Sequence, residues 1–477
     1  MKKTFIYAIL CFLIILIAVS CAVNPITGKR EFMLISEQAE ISLGQETDQE
    51  VRTLYGIYSD SNLNDYVERV GMSMAPHTHR SHLTYHFAIL DTPVINAFAA
   101  PGGYIYLTRG VMAAMNSEAE LAVVLGHELG HVNARHSARR LSKMLLVQVG
   151  LVVGSALSDT FAKISGAASI GMQLLFLKYS RDDERQADQL GIEYARKGSY
   201  NPAKMIDFFT TLQEMGDLSG GHSLPGFLST HPLTTERINN TKAMIADSDS
   251  QLKIQKNTFL NRIDNVVFGE DPRQGFIEGN TFYHPQMRFY FSFPRDWKIQ
   301  NTPSRVILIS KDENAAVILQ AEESSADLKD YANKKTSTLD GRVLIDEQAL
   351  TINGLPSFQQ LYNIIQQDKE DLRARMAFIK YGKHIFTFTA LSTLKDFDKY
   401  DFQFGSLVGS FNKLTDLKYL NQAPKRIKLI KANGKQTLKS IFKGTGMPED
   451  LWPKFAVMNA MKLNQIPKQN QLIKVLQ

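Results

Sequence analysis

Apolar residues recur at helical spacing through Leu121, Val124, Leu125 and Leu129, behind a capping signature formed by Ser117 and, three residues on, Glu120. The pattern predicts a helix that opens at Ser117 and carries His127-Glu128-Leu129-Gly130-His131. A second helix is expected through Ser180-Arg181-Asp182-Asp183-Glu184-Arg185-Gln186-Ala187-Asp188, ending near Lys197 with Gly198 as its cap. Upstream, two helical stretches run from about Glu37 to Tyr55 and from Leu63 to Met74, then a strand-like run from His82 to Leu90. Val94 to Leu107 reads as two short strands about Pro101-Gly102-Gly103. Pro202 suits the first turn of an amphipathic helix over Ala203 to Met215.

Beyond residue 282 the period changes from helical to alternating, with Met287, Phe289, Phe291 and Phe293 on one face. Strands are expected at Val306–Ile309, Ala316–Gln320, Arg375–Lys380 and His384–Ala390, the last pair joined by Tyr381-Gly382-Lys383, with a helix near Phe397–Phe411. In the tail, Thr437-Leu438 starts a helix, Asn459-Ala460-Met461 follows another, and Ile473–Val475 closes a strand. The chain is thus expected to be multidomain: a signal segment over 1–20, a mainly helical α+β domain over 21–250, a linker over 251–282, an α+β accessory domain over 283–415 and a small α+β module over 424–477.

Four residues turn a helix by about 400°, so His127 and His131 share a face and can share a metal ion, and Glu128 can reach a water beside it. Glu184 and Asp188 repeat that spacing. A catalytic zinc commonly takes two His and one carboxylate, which makes Glu184 the expected third ligand of one zinc per chain. Asp188 is then placed to accept the free ring N–H of a ligand histidine. His136 lies five residues past His131, about 140° round an intact helix, which keeps it off the same metal and leaves it either behind the ligands, supporting them, or at the surface.

The combination of HELGH, SRDDERQAD and Ser229-Thr230-His231-Pro232 resembles the HtpX and CAAX-prenyl-protease type of zinc metallopeptidase, above all its BepA-like and LoiP-like bacterial lipoprotein branch. A metzincin pattern is excluded by Ala134 and Ser137. The resemblance covers roughly residues 22–245 and implies a gluzincin-like domain, a zinc-activated water and Glu128 as general base. It implies that His231 and Arg237 either stabilise the oxyanion or, for His231, cap the zinc and hold the enzyme latent; the alternative is that Thr230 caps a helix beginning at Pro232, with Arg237 salt-bridged on it. It also implies a substrate-pairing edge strand around Asn96, Ala97, Phe98 and Ala99; the alternative is an ordinary hairpin. Residues 143–176 would form a helical hairpin over the cleft or touch a membrane surface. The accessory domain weakly resembles PsbP-like modules, and the tail weakly resembles a LysM-type glycan-binding module. The tail departs from that type at Lys435-Gln436, which leaves a small packed cap as the alternative.

Lys2 and Lys3 precede an apolar run from Phe5 to Val19 that is short of a spanning helix, and Ala18-Val19-Ser20-Cys21 looks like a lipobox. Cys21 is therefore the expected lipidation site, anchoring the protein at the periplasmic face of the cell envelope, on the outer membrane in a Gram-negative source. The other reading is an uncleaved anchor. The second cysteine, Cys11, would leave with the signal, so no intramolecular disulfide is expected. Charged residues at 21% and hydrophobic ones at 44% argue against a polytopic membrane protein, and the net charge of +6 lacks the basic-aromatic pattern of nucleic-acid binding. Expected partners are polypeptide substrates (misfolded or stalled envelope proteins), the membrane through the lipid, and cell-wall glycan or outer-membrane assembly machinery. The rival reading is a dual-role or non-proteolytic periplasmic chaperone for outer-membrane proteins.

Overall fold

The computed structural model describes residues 21–151, 170–218, 226–366 and 370–477. The expected signal segment, the middle of the expected 143–176 hairpin and most of the Gly- and Ser-rich loop before Gly226 lie outside the described residues. The chain divides into two compact units: one comprises the chain up to Arg52, Ile57–Gly269 and Lys425–Gln477, the other Thr53–Gly56 and Glu270–Pro424.

The first unit is built on the helix Glu118–Asn133, in which every residue from Ala119 to Asn133 is buried. Ser117 caps it by accepting from the Glu120 amide, while Glu120 reaches back to the Asn116 amide at 2.9 Å. Beside it lies a three-stranded sheet whose centre is Tyr104–Thr108, parallel to His86–Leu90 and antiparallel to Ala97–Ala100. The turn at Pro101–Gly103 needs its glycines: Gly102 and Gly103 have φ of +76° and +107°, and a Cβ on Gly103 would lie 2.6 Å from the Thr84 carbonyl oxygen. Ala97–Ala100 is an edge strand, yet it is buried along its length, and the short helix Ile170–Leu175 packs against it.

The helix Arg181–Lys197 crosses Glu118–Asn133 at a seam of small residues. A Cβ on Gly126 would meet the Gly191 carbonyl oxygen at 2.8 Å, one on Gly191 would meet the His127 nitrogen at 2.9 Å, and Gly130 lies as close to Ala187. The two backbones touch, so their side chains near the crossing point into one shared space. A buried ion network holds the far end of the Glu118–Asn133 helix: Arg80 binds Glu40 at 3.0 Å and the Val132 carbonyl at 2.9 Å, and Arg135 binds the same Glu40 at 2.8 Å.

Two sequence expectations change here. Residues 251–282 are not a bare linker: Lys256–Ile263 is a helix that buries Phe259, Leu260 and Ile263 in the first unit's core, and Phe276–Glu278 and Thr281–His284 are paired strands. Residues Lys425–Gln477 do not stand apart from the HELGH region. Their antiparallel strands Ile427–Lys431 and Leu472–Leu476 enclose the helices Leu438–Gly444 and Trp452–Met458, and Trp452 and Phe455 share a core with Ala113 and Met215. The fully buried Lys474 donates to the carbonyls of Ala113 and Met115 at 3.0 and 2.7 Å, at the end of the helix Arg109–Ala114. Burial pushes the Lys474 amine down to about 7, and its N–H groups find acceptors in the two carbonyls.

The second unit carries a seven-stranded antiparallel sheet in the order Arg342–Ile352, Leu355–Ile364, Leu372–Tyr381, His384–Thr393, Ala315–Glu323, Arg305–Ile309, Lys298–Thr302, with a separate four-stranded sheet. Phe291, Phe386, Phe388, Phe404 and Phe411 fill its core, with Phe404 contributed by the helix Phe397–Gly409. The hairpin of Arg342–Ile352 with Leu355–Ile364 was not anticipated from the sequence; it turns on Asn353 and Gly354, both at positive φ (+47° and +76°), as a type I′ turn requires.

The seam makes a direct prediction. Gly191→Ala forces a methyl group between two touching backbones and should lower stability by about 1–3 kcal/mol. Denaturant unfolding checks this; an unchanged midpoint would mean that the helices are not packed this closely.

Candidate metal centre

The helix crossing brings His127, His131, Glu184 and His231 together, each buried, with one candidate donor atom from each within 4.8 Å of all the others. His127 Nε2 lies 3.0 Å from His131 Nε2 and 3.3 Å from His231 Nδ1. Glu184 Oε1 lies 2.9 Å from His231 Nδ1 and 3.5 Å from His131 Nε2, and Glu184 Oε2 lies 3.7 Å from His127 Nε2. Donors bonded tetrahedrally at ~2.0–2.1 Å to one ion would be roughly 3.3 Å apart, so the cluster has the size of a zinc site. Two imidazoles, a carboxylate and a third imidazole also form the donor set that zinc favours. Both oxygens of Glu128 and Nε2 of His231 are buried without a hydrogen-bond partner among the described residues, and His231 Nε2 faces Glu128 Oε1 at 3.7 Å. Such polar atoms are costly unless something else fills the space between them.

The surroundings orient each candidate ligand. Asp188 Oδ1 stands 3.0 Å from Nδ1 of His127. Arg237 in turn grips Asp188 with two bonds of 2.7 Å and Glu184 Oε2 with a third contact of 2.6 Å. Its guanidinium is therefore directed at two carboxylates, not at the open space where the sequence reading would have it meet an oxyanion. The capping residue of the helix that holds Arg237 is Thr234, which accepts from the Arg237 amide. His131 rests on the Tyr179 ring, with centroids 3.8 Å apart, and its Nδ1 lies 2.8 Å from Nδ1 of His136. Tyr179 was not singled out from the sequence, whereas His136 was left between a place behind the ligands and one at the surface; it lies buried against His131. Tyr179 directly precedes the Ser180 cap of the second helix, a proximity that could have drawn notice.

His231 is delivered by the segment after the helix Gly226–Thr230 and is fixed between two rings: Phe227 at 4.6 Å and Tyr179 at 5.0 Å. The segment is tied down by Phe227 donating to the Ile95 carbonyl and Tyr179 donating to the Thr230 carbonyl. The expected pairing strand is Ala97–Ala100; it packs against the HELGH helix, with Asn96 just before it donating to Thr108 Oγ1. Cys21 begins a short strand, Cys21–Val23, paired with Arg30–Phe32.

Burial dominates the electrostatics. It pushes the Glu128 carboxyl above the usual carboxylate range, although His231 and His127 pull it back in part. It acts on Glu184 and Asp188 too, but there His231 and Arg237, and for Asp188 chiefly Arg237, outweigh it and hold both groups ionised below their ordinary values. Burial also drives His131 well below the ordinary imidazole value, so it is neutral and able to donate a lone pair. Burial also disfavours a charged His127, but Asp188 and Glu184 outweigh it and draw that imidazole above its ordinary value. The site thus combines a neutral imidazole at His131, two ionised carboxylates, Glu184 and Asp188, and one carboxylate, Glu128, biased to take up a proton.

Residues 61–245 match Peptidase family M48. The chain is 28% identical over 243 residues to the beta-barrel assembly-enhancing protease of Escherichia coli, an alignment that covers 46% of this chain and 49% of that one. It is 28% identical over 232 residues to a mitochondrial metalloendopeptidase of Schizosaccharomyces pombe, covering 47% of this chain and 66% of that one. The chain spans about half the length of the bacterial relatives it matches. Among solved structures, cyanobacterial PsbP from Synechocystis aligns with 28% of this chain and 91% of its own at 13% identity, with a TM-score of 0.25, too faint a likeness to carry an argument. The HELGH helix, the Glu184 helix and the His231 segment all lie within the stretch, residues 61–245, that matches Peptidase family M48.

Proposed function

We propose that this protein is a zinc-dependent metalloendopeptidase of the cell envelope, held closed by its own His231. The observation that carries the reading is the buried four-donor cluster with the unpartnered carboxylate of Glu128 beside it. His127, His131 and Glu184 would hold one zinc per chain. That ion would supply Lewis-acid polarisation of a scissile carbonyl and acidification of a water. Glu128, whose burial favours the protonated form, takes the proton of the attacking water and passes it to the leaving amine. Asp188 holds the His127 ring in the tautomer that leaves Nε2 free, and Arg237 keeps Asp188 and Glu184 ionised and in place.

With a zinc ion on His127, His131 and Glu184, His231 would take the place that a catalytic site leaves to water and substrate. Its ring is packed between Phe227 and Tyr179, and the Ile170–Leu175 helix covers the Ala97–Ala100 edge on which an extended peptide would add a strand. Both features support the reading of a latent enzyme that would open by withdrawing the His231 segment. Arg237 could serve an oxyanion only after releasing a carboxylate.

The envelope assignment rests on the lipobox-like Ala18-Val19-Ser20-Cys21, with Cys21 as the lipid-bearing residue. Among the described residues no helix is long and apolar enough to cross a membrane. The bacterial relatives' name, beta-barrel assembly-enhancing protease, favours misfolded or stalled envelope polypeptides as substrates.

Glu128→Gln should retain one zinc by elemental analysis and lose casein cleavage by about 10²–10⁴-fold. A clean preparation of that variant with full turnover would remove Glu128 from the chemistry. His231→Ala should bind zinc and cleave casein faster than the unaltered chain. A loss of cleavage with zinc retained would make His231 a participant in the reaction and not its lock.

A further inference from the structure

An intact helix would carry His136 away from His131, but the helix stops at Asn133 and a new one begins at His136. Between them Arg135 takes a left-handed conformation, φ +54°. For a residue with a Cβ that conformation has a cost, and the surroundings hold it in place: the Arg135 side chain binds Glu40 at 2.8 Å and the Ile35 carbonyl at 2.9 Å, and its amide donates to Val132 at 3.1 Å. The reversal turns His136 back until its Nδ1 lies 2.8 Å from Nδ1 of His131, in a position with no solvent exposure. On the other side of the ring, Nε2 lies 3.0 Å from Gln186 Oε1.

Two Nδ1 atoms at that distance require one to donate and the other to accept. A His131 that ligates through Nε2 keeps its proton on Nδ1, so His136 Nδ1 must be the acceptor. The His136 proton then sits on Nε2 and is donated to Gln186 Oε1. One arrangement of protons satisfies all three groups. It leaves His136 neutral, with one ring nitrogen donating and the other accepting. The geometry points to His136 as the positioning residue that fixes His131 in its metal-binding tautomer and orientation, with Gln186 fixing His136 in turn. His127 is oriented by a carboxylate, Asp188, locked by Arg237; His131 is oriented by a neutral imidazole locked by an amide. The inference rests on the reading of His131 as a metal ligand. Placing a neutral acceptor there avoids adding another buried anion next to Glu184 and Asp183.

The test uses the full-length protein and zinc alone, with affinity measured by competition against a chromophoric chelator. His136→Ala should weaken zinc by about 10- to 100-fold, His136→Asn, whose amide oxygen can still accept, should recover part of the loss, and Gln186→Ala should cost about 3- to 10-fold. Nitrogen NMR of the zinc-loaded chain should show the His131 proton on Nδ1, and that signal should broaden or shift in His136→Ala. Metal-free melting curves of each variant separate loss of ligand orientation from loss of fold; if His136→Ala does not fold, Gln186→Ala and the tautomer assignment decide. Zinc binding at full strength in both His136→Ala and Gln186→Ala would overturn the inference while leaving the metal site intact. A wild-type chain that binds no zinc would overturn the metal-site reading beneath it.

Discussion

The contact on which everything else depends is the crossing of two helices at Gly126, Gly130, Ala187 and Gly191. Their backbones approach so closely that a single Cβ at Gly126 or Gly191 would overlap the neighbour's main chain. At ordinary interhelical spacing, side chains as short as Glu184 and Asp188 would fall short of His127 and His131. The glycines in the motif regions thus set the distance over which the carboxylates must reach. The same closeness excludes water, which makes burial the dominant influence on Glu128, His131 and His136.

A dry site with this many ionisable groups is stable only if each charge is answered. The structure answers them in pairs that link distant parts of the chain: Arg237 with Asp188 and Glu184, Arg80 and Arg135 with Glu40, and Lys474 with two carbonyls beside the start of the HELGH helix. Removing one member of such a pair leaves the other buried and unpaired, so these contacts specify geometry more than they add net stability. Both oxygens of Glu128 and the far nitrogen of His231 find no hydrogen-bond partner among the described residues, and they face each other across the candidate centre. An unanswered polar pair there is what a site awaiting an ion and a substrate should contain.

Much of this was legible in the residues. Ser117 with Glu120 and Ser180 with Asp183 announce both helix starts, and the four-residue spacings of His127/His131 and Glu184/Asp188 place each pair on one face. Tyr381-Gly382-Lys383 marks its hairpin, as the register of Tyr381 with His384 shows. What escaped the reading escaped for identifiable reasons. Assuming an unbroken helix left His136 undecided between supporting a ligand and lying at the surface, and nothing local announces that Arg135 turns left-handed; Glu40, some ninety-five residues away, holds it there. Arg237 was left between an oxyanion and a salt bridge on its own helix, because a lone sequence cannot show that Glu184 and Asp188 both lie against it. The amphipathic trio Phe259, Leu260 and Ile263 was passed over inside an apparent linker, and Asn353-Gly354, a strong hairpin signal, was passed over between strands whose outer partner is mostly exposed.

The central claim is that three distant segments converge on one metal ion through three imidazoles and one carboxylate. X-ray absorption at the zinc edge, on the purified chain with its metal content known, tests it most directly. The account predicts one zinc per chain in a four-coordinate shell of nitrogen and oxygen at ~2.0–2.1 Å, with the outer-shell scattering of three imidazole rings. A shell of water oxygens, or a chain that takes up no zinc, would contradict it.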